Sequence, residues 1–223
     1  MTTGFFITGT DTGVGKTRVS CALLHAFAAE GKAVVGMKPV AAGCEHGKWR
    51  DVELLVAASN VVAAREQINP YALIPPLAPQ IAAKLANIEI EIEVIQQAYA
   101  RLKKTAEVVI VEGVGGFLVP FNHQHDGADL AKLLGLPVIL VVGIRLGCLN
   151  HALLTARAIR TSGCPLIGWV ANSIDPLMMA QKENIQLLAQ RLDCQLLGIL
   201  PFEKNSDIQL IAKLLDITKL GAA

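Results

Sequence analysis

The stretch Gly9-Thr10-Asp11-Thr12-Gly13-Val14-Gly15-Lys16-Thr17 follows an apolar run at 5–8 and opens a segment where Val19, Leu23, Leu24 and Phe27 recur at helical spacing. A chain that leaves a strand, turns through glycines and enters a helix gathers backbone N–H groups and the positive end of the helix dipole at one point. Such a point binds phosphate. Gly13 and Gly15 allow the backbone to wrap closely, Lys16 can reach β- and γ-phosphate oxygens, and the Thr17 hydroxyl can ligate magnesium. The spacing is a variant of G-x-x-x-x-G-K-[ST], because Gly9 precedes Gly15 by one residue too many and Thr10 holds the first-glycine position. An ordinary glycine-rich turn with a solvated lysine is the competing reading. The strand before the turn and the helix after it disfavour that alternative.

The rest of the chain repeats the same kind of unit. A second strand is predicted at 33–37, and apolar blocks recur at 108–111, 138–142, 166–170 and 196–200, with helical patterns between most of them. Strands alternating with helices require parallel crossovers, so the predicted fold is α/β, P-loop NTPase-like, a mostly parallel sheet with helices on both faces. A composition 52% apolar and only 4% aromatic suits a core of Ala, Val, Ile and Leu around a buried parallel sheet. No linker divides the 223 residues, and one domain over 1–223 is expected. Residues 41–50 read as a mobile loop, and Asp51 as the start of a short helix to about Asn60. Prolines 70, 75, 76 and 79 mark an irregular stretch of the kind that forms substrate loops. Ile88, Ile92, Ile95, Tyr99 and Leu102 share one helical face, which is preferred here to the strand-like alternation of Ile88, Ile90, Ile92 and Val94.

Charge and cysteine content exclude several classes. A net charge of +1 provides no basic field for a nucleic-acid backbone. The apolar start breaks at Thr8-Gly9, before secretory length, and no apolar run approaches the roughly 20 residues that cross a bilayer, so neither export nor a membrane is expected. Cysteines 21, 44, 148, 164 and 194 are odd in number and form no C-x-x-C pair, which fits free thiols in a reducing cytoplasm.

Ligands of doubly wound sheets bind beyond the carboxyl ends of the strands. Lys38-Pro39 closes the second predicted strand, Glu112-Gly113-Val114-Gly115-Gly116 the third, residues 145–150 follow the fourth, and Asn172 ends the fifth. Glu112 follows a buried run, where an uncompensated carboxylate costs several kcal/mol. A magnesium ion or a structural salt bridge would each resolve that cost. With Asp51 and Thr17, Glu112 makes a hard-oxygen set of the type magnesium takes beside nucleotide phosphates. Lys38 is either a solvated strand-end lysine or a second cation opposite Lys16 that stabilises a transferring phosphoryl group, and the phosphate loop favours the second. His123 and His125 lie in a polar loop and are assigned no function. For His151, after Asn150 at a predicted helix start, local capping and small-anion binding stand level.

Taken in order with the glycine-rich loop, Lys38-Pro39-Val40-Ala41, Val111-Glu112-Gly113, residues 137–143 with Gly147-Cys148-Leu149-Asn150-His151, and Gly168-Trp169-Val170-Ala171-Asn172 resemble the dethiobiotin synthetase family over nearly the whole chain. The resemblance implies an ATP- and magnesium-dependent ligase of biotin biosynthesis. Such an enzyme carboxylates 7,8-diaminononanoate with carbon dioxide, phosphorylates the carbamate and closes a cyclic urea, giving dethiobiotin, ADP and phosphate. It implies Lys38 and Lys16 as catalytic residues and Thr17, Asp51 and Glu112 as organisers of magnesium. Nucleotide contacts carried over are Gly13, Val14, Gly15, Lys16, Thr17, Arg18, Asp51, Glu112, Gly113, Val114 and Gly115, with Asn172, Ser173, Pro201, Phe202 and Glu203 around the base and Asp207 as a later acidic contact. Thr12, Lys38 and Ala42 would face the diamine. Gly147, Cys148, Leu149 and Asn150 would hold its carboxylate across a homodimer interface.

Two positions depart from the family. Gly13 stands where a glutamate is frequent, and keeps its N–H for phosphate. Ala42 stands where familiar members have a serine that contacts the substrate, so a hydroxyl is lost. A partition-type ATPase switch, acting through protein partners, is the alternative reading. Its members usually carry an additional lysine early in the loop, where this chain has Asp11 and Thr12. Many of its membrane-associated members have a basic amphipathic tail, whereas residues 210–223 set Asp216 among Lys213 and Lys219. A degenerate nucleotide-binding domain is the third reading, opposed by the intact Lys16, Lys38, Asp51 and Glu112.

Overall fold

The computed structural model describes residues 2–202 and 207–220. Its strands are β1 (Thr3–Gly9), β2 (Val34–Met37), β3 (Val40–Ala42), β4 (Tyr71–Leu73), β5 (Val108–Glu112), β6 (Val138–Ile144), β7 (Leu166–Ser173) and β8 (Gln195–Leu200). Six form one sheet in the order β2-β5-β1-β6-β7-β8, with every neighbouring pair parallel. The helices are α1 (Lys16–Ala29), α2 (Arg50–Ala58), α3 (Arg65–Ile68), α4 (Pro79–Leu85), α5 (Ile92–Leu102), α6 (Gly127–Leu133), α7 (Cys148–Thr161), α8 (Gln181–Arg191) and α9 (Ile208–Ala212).

Alternate side chains of each strand feed opposite layers. Phe5 and Ile7 pack with Val19, Leu23 and Leu24 of α1, while Phe6 packs into the other layer, with Ile95 and Tyr99 of α5 and Ala152 and Ala156 of α7. Helices therefore cover both faces, and the strands read as continuous apolar runs because neither face meets water. Next to β1 the strand order reverses, with β5 and β2 on one side and β6, β7 and β8 on the other. The loop after β1 thus opens at the topological switch point, where this architecture places its ligands.

Three sequence expectations need correction. Residues 41–50 are not all loop, because Val40–Ala42 forms β3 and pairs in parallel with β4. The proline-rich stretch contains β4 and α4, and α4 starts on Pro79. Proline is tolerated at a first helical position because that N–H has no partner within the helix. The helix expected from Ile88 begins only at Ile92, leaving Ile88 outside it and exposed.

Candidate active site

Gly15 is the N-cap residue of α1, with φ of 95°, and Gly13 has φ of 76°. No side chain caps this helix and its first turn carries no acid. Its leading N–H groups are left for an anion. The loop is held from β7, where Asn172 Nδ2 donates to the Val14 carbonyl at 2.8 Å and Asn172 Oδ1 accepts from Arg18 Nη1 at 3.0 Å. A Cβ on Gly15 would collide with that Asn172 amide, so glycine is required by space as well as by φ. Lys16 Nζ folds back on the loop, donating to the carbonyls of Asp11 at 2.9 Å and Gly115 at 2.6 Å. Burial, reinforced by the nearby charge of Lys38, lowers the Lys16 pKa to about 8.

Beside the loop lies a buried charge cluster. Glu112 ends β5 at 0% exposure, and its Oε1 accepts from Thr17 Oγ1 at 2.8 Å and from Lys38 Nζ at 2.5 Å. Lys38 Nζ also donates to the Gly113 carbonyl at 3.0 Å and lies 3.1 Å from Asp51 Oδ2. Lys38 is therefore not a solvated strand-end lysine. Burial opposes its charge, yet Glu112 and Asp51 hold the ammonium pKa above its ordinary value. Partial burial likewise opposes ionisation of Asp51, and Lys38 holds its carboxyl below the usual range.

The ion pair does not satisfy Glu112 fully. Its Oε2 is buried without a hydrogen-bond partner. An orphaned charged oxygen of this kind costs about 1–3 kcal/mol or more. Two carboxylates and a hydroxyl, from Glu112, Asp51 and Thr17, beside the phosphate loop are a donor set that fits magnesium.

A cleft of about 590 Å³ joins these groups. Thr12, Gly13, Gly15, Lys16, Thr17, Lys38, Ala42, Asp51, Glu112, Val114 and Gly115 line it; of the strand-end segments singled out in the sequence, Lys38 and Glu112 with Val114 and Gly115 reach it, whereas residues 145–150 and Asn172 do not. Its other wall is Pro76, Leu77, Ala78, Pro79 and Val119, of which only the two prolines were singled out in the sequence. The proline cluster was the available signal, and it marked a substrate-type loop without indicating which residues face inward.

Other expected contacts lie outside this cleft. Arg18 Nη1 donates to the Pro201 carbonyl at 2.9 Å as well as to Asn172, joining α1 to the ends of β7 and β8. Ser173 Oγ donates to Gln181 Oε1 at 3.1 Å, and Phe202 is exposed. Asp207 caps α9 by accepting from the Gln209 N–H at 2.9 Å. Glu203 lies outside the described residues. Gly147 is the N-cap of α7, so Cys148, Leu149, Asn150 and His151 occupy its first turn, and none of the five lines the cleft. Arg145, just before them, pairs with Asp11 of the phosphate loop at 2.8 Å. The His123 and His125 loop is organised by Asn122, whose Oδ1 accepts from the Gln124 and His125 N–H groups. Among the described residues no group of three His, Cys, Asp or Glu could hold a metal, and no helix is long and apolar enough to cross a membrane.

A family model described as an AAA domain matches residues 3–209. The chain is 66% identical over 218 residues to an ATP-dependent dethiobiotin synthetase BioD of Nitrosospira multiformis, covering 98% of this chain and 96% of that relative. It is 51% identical over 207 residues to the protein of the same name from Aromatoleum aromaticum, covering 91% and 92%. Among solved structures, the MinD cell division protein of Aquifex aeolicus shares the fold with a TM-score of 0.58 at 16% identity, covering 97% of this chain and 88% of that one. Chloroplast FtsY from Physcomitrella patens does so with a TM-score of 0.56 at 16% identity, covering 96% and 65%. At such identities MinD and FtsY speak for the P-loop fold alone, whereas the two full-length relatives speak for the family, and the chain belongs to the ATP-dependent dethiobiotin synthetases.

Proposed function

We propose that this chain uses ATP and magnesium to join carbon dioxide to 7,8-diaminononanoate and close the cyclic urea of dethiobiotin, with release of ADP and phosphate. The observation that carries the reading is the convergence of Lys16, Lys38, Thr17, Asp51 and Glu112 on one cleft at the carboxyl ends of the strands. Backbone N–H groups of residues 13–17 hold the phosphates, and Lys16 exchanges the Asp11 and Gly115 carbonyls for their oxygens. Lys38 lines the same cleft and neutralises charge on the carbamate and the transferring phosphoryl group. Thr17, Asp51 and Glu112 would hold magnesium, which supplies charge compensation to the phosphate oxygens when bound. Arg18, Asn172, Ser173, Pro201 and Phe202 form the nucleotide-base side.

Thr12, Lys38 and Ala42 face the diamine, and Pro76, Leu77, Ala78, Pro79, Val114 and Val119 give its alkyl chain an apolar wall. The uncapped, acid-free start of α7 at Gly147, Cys148, Leu149 and Asn150 suits the substrate carboxylate of a second protomer, because it does not line its own cleft. Leu146, Leu177 and Met179, each at least 87% exposed on loops after neighbouring strands β6 and β7, support a homodimer through this end of the sheet. The chain works as one domain in the cytoplasm, where its five free cysteines remain reduced. The partition-switch reading is not favoured, since 66% identity to a synthetase outweighs a shared fold at 16%.

Lys16→Ala and Lys38→Ala, verified as folded in the presence of magnesium, are each expected to lower turnover by about 100-fold or more. Near-parental rates in both variants would refute the assignment. Sedimentation should report a dimer, and a monomer with full activity would refute the shared site.

A further inference from the structure

We propose that Asn69 is a positioning residue for Lys38, acting through the main chain from which the lysine projects; the proposal rests on the role given to Lys38 above. Lys38 and Pro39 lie between β2 and β3, outside both ladders. Their backbone groups must therefore find partners elsewhere. Residues 68–71 supply them. The Lys38 N–H donates to the Ile68 carbonyl at 2.8 Å, Asn69 Nδ2 donates to the Lys38 carbonyl at 2.7 Å, and the Tyr71 N–H donates to the Pro39 carbonyl at 3.0 Å. Asn69 Nδ2 also donates to the Tyr71 carbonyl at 3.0 Å, so one amide ties the exit of β2 to the start of β4. Of these bonds, the two from Asn69 are the ones made by a side chain, and so the ones a substitution can remove.

Burial makes the choice of residue informative. Asn69 is 5% exposed, and its Oδ1 has no hydrogen-bond partner. An apolar side chain would avoid the cost of that orphaned acceptor. What an apolar side chain could not do is donate to the Lys38 and Tyr71 carbonyls, so those two bonds are what the amide is there to make. What the amide fixes is the peptide plane of Lys38, and from that plane Nζ must meet Glu112 at 2.5 Å, Gly113 at 3.0 Å and Asp51 at 3.1 Å. A displacement of about 1 Å in a reacting group can cost about 100-fold in rate.

The test is a double-mutant cycle in the full chain, assayed with magnesium-ATP, bicarbonate and 7,8-diaminononanoate. Asn69→Ala removes the donor, and Asn69→Leu removes it while keeping the branched outline of the side chain. Each is expected to lower kcat by about 10- to 100-fold. Each should leave KM for ATP nearly unchanged and have no further effect in a Lys38→Gln background. Equal losses in both backgrounds, or a loss confined to KM for ATP, would overturn the proposal. Failure of both variants to fold would overturn it too, because Asn69 would then serve the fold itself. Full activity of Lys38→Gln alone would instead overturn the role of Lys38, a result separate from additivity in the cycle.

Discussion

Lys38 Nζ lies 2.5 Å from Glu112 Oε1 where water scarcely reaches, the two side chains being 2% and 0% exposed. Removing one partner of such a pair strands the other. Lys38→Ala should therefore cost about 3–5 kcal/mol of stability in metal-free buffer. Adding Glu112→Gln to that variant should restore part of the loss, because the carboxylate left without its ammonium partner is gone. Thermal unfolding in a chelator checks this, and strictly additive destabilisation would contradict it. Magnesium should raise the melting temperature of Lys38→Ala more than that of the parent, since Glu112 would gain a cation it lacks.

A pH dependence follows from Lys16. Its pKa in the fold is about 8 against an ordinary 10.5, so between these values the unfolded chain binds more protons. The contribution of this group to stability therefore rises with pH through that window. Nucleotide affinity moves the other way, because polyphosphate needs the ammonium form. Calorimetric titration of ATP without divalent metal should show affinity that weakens by up to about tenfold per unit above about pH 8. Lys16→Arg, which stays charged, should flatten the profile. An unchanged slope in that variant would assign the effect to another group.

The two positive-φ glycines of the phosphate loop should respond unequally. Alanine at either position carries about 1–2 kcal/mol of left-handed strain. At Gly13 a Cβ would meet nothing within 4 Å, whereas at Gly15 it would drive Asn172 from the Val14 carbonyl. Gly15→Ala should lose at least about tenfold more nucleotide affinity than Gly13→Ala. Equilibrium binding of a fluorescent ATP analogue measures the order, and a reversed order would contradict the loop geometry.

Ala42→Ser returns a hydroxyl to the cleft. One added hydrogen bond should lower KM for the diamine by about twofold to tenfold and leave KM for ATP unchanged. Steady-state kinetics with each substrate varied in turn would show it. An effect on ATP alone would move Ala42 out of the diamine site.

Much of this architecture was legible in the sequence because its signals are local. The recurrence of Val19, Leu23, Leu24 and Phe27 falls within α1, and the glycine-rich loop carries its phosphate-binding signal in four neighbouring residues, Gly13, Gly15, Lys16 and Thr17. What stayed hidden depends on contacts between distant residues or on very short elements. Three-residue strands such as β3 and β4 cannot display a period of two, and Pro79 reads as a breaker until its place in a first helical turn is known. Glu112 stands 74 residues from Lys38, so the choice between metal and salt bridge could not be made from either neighbourhood. The structure shows the salt bridge and also the orphaned oxygen that a metal would satisfy. Asn69, before a proline, reads as turn chemistry, and nothing in the sequence alone ties its amide to the Lys38 carbonyl.

The most direct measurement is ADP release by the purified protein with magnesium-ATP and bicarbonate, with and without 7,8-diaminononanoate, alongside mass detection of dethiobiotin. The account predicts ADP formation that depends on the diamine and matches dethiobiotin mole for mole. ADP release indifferent to saturating diamine, with no dethiobiotin formed, would contradict it.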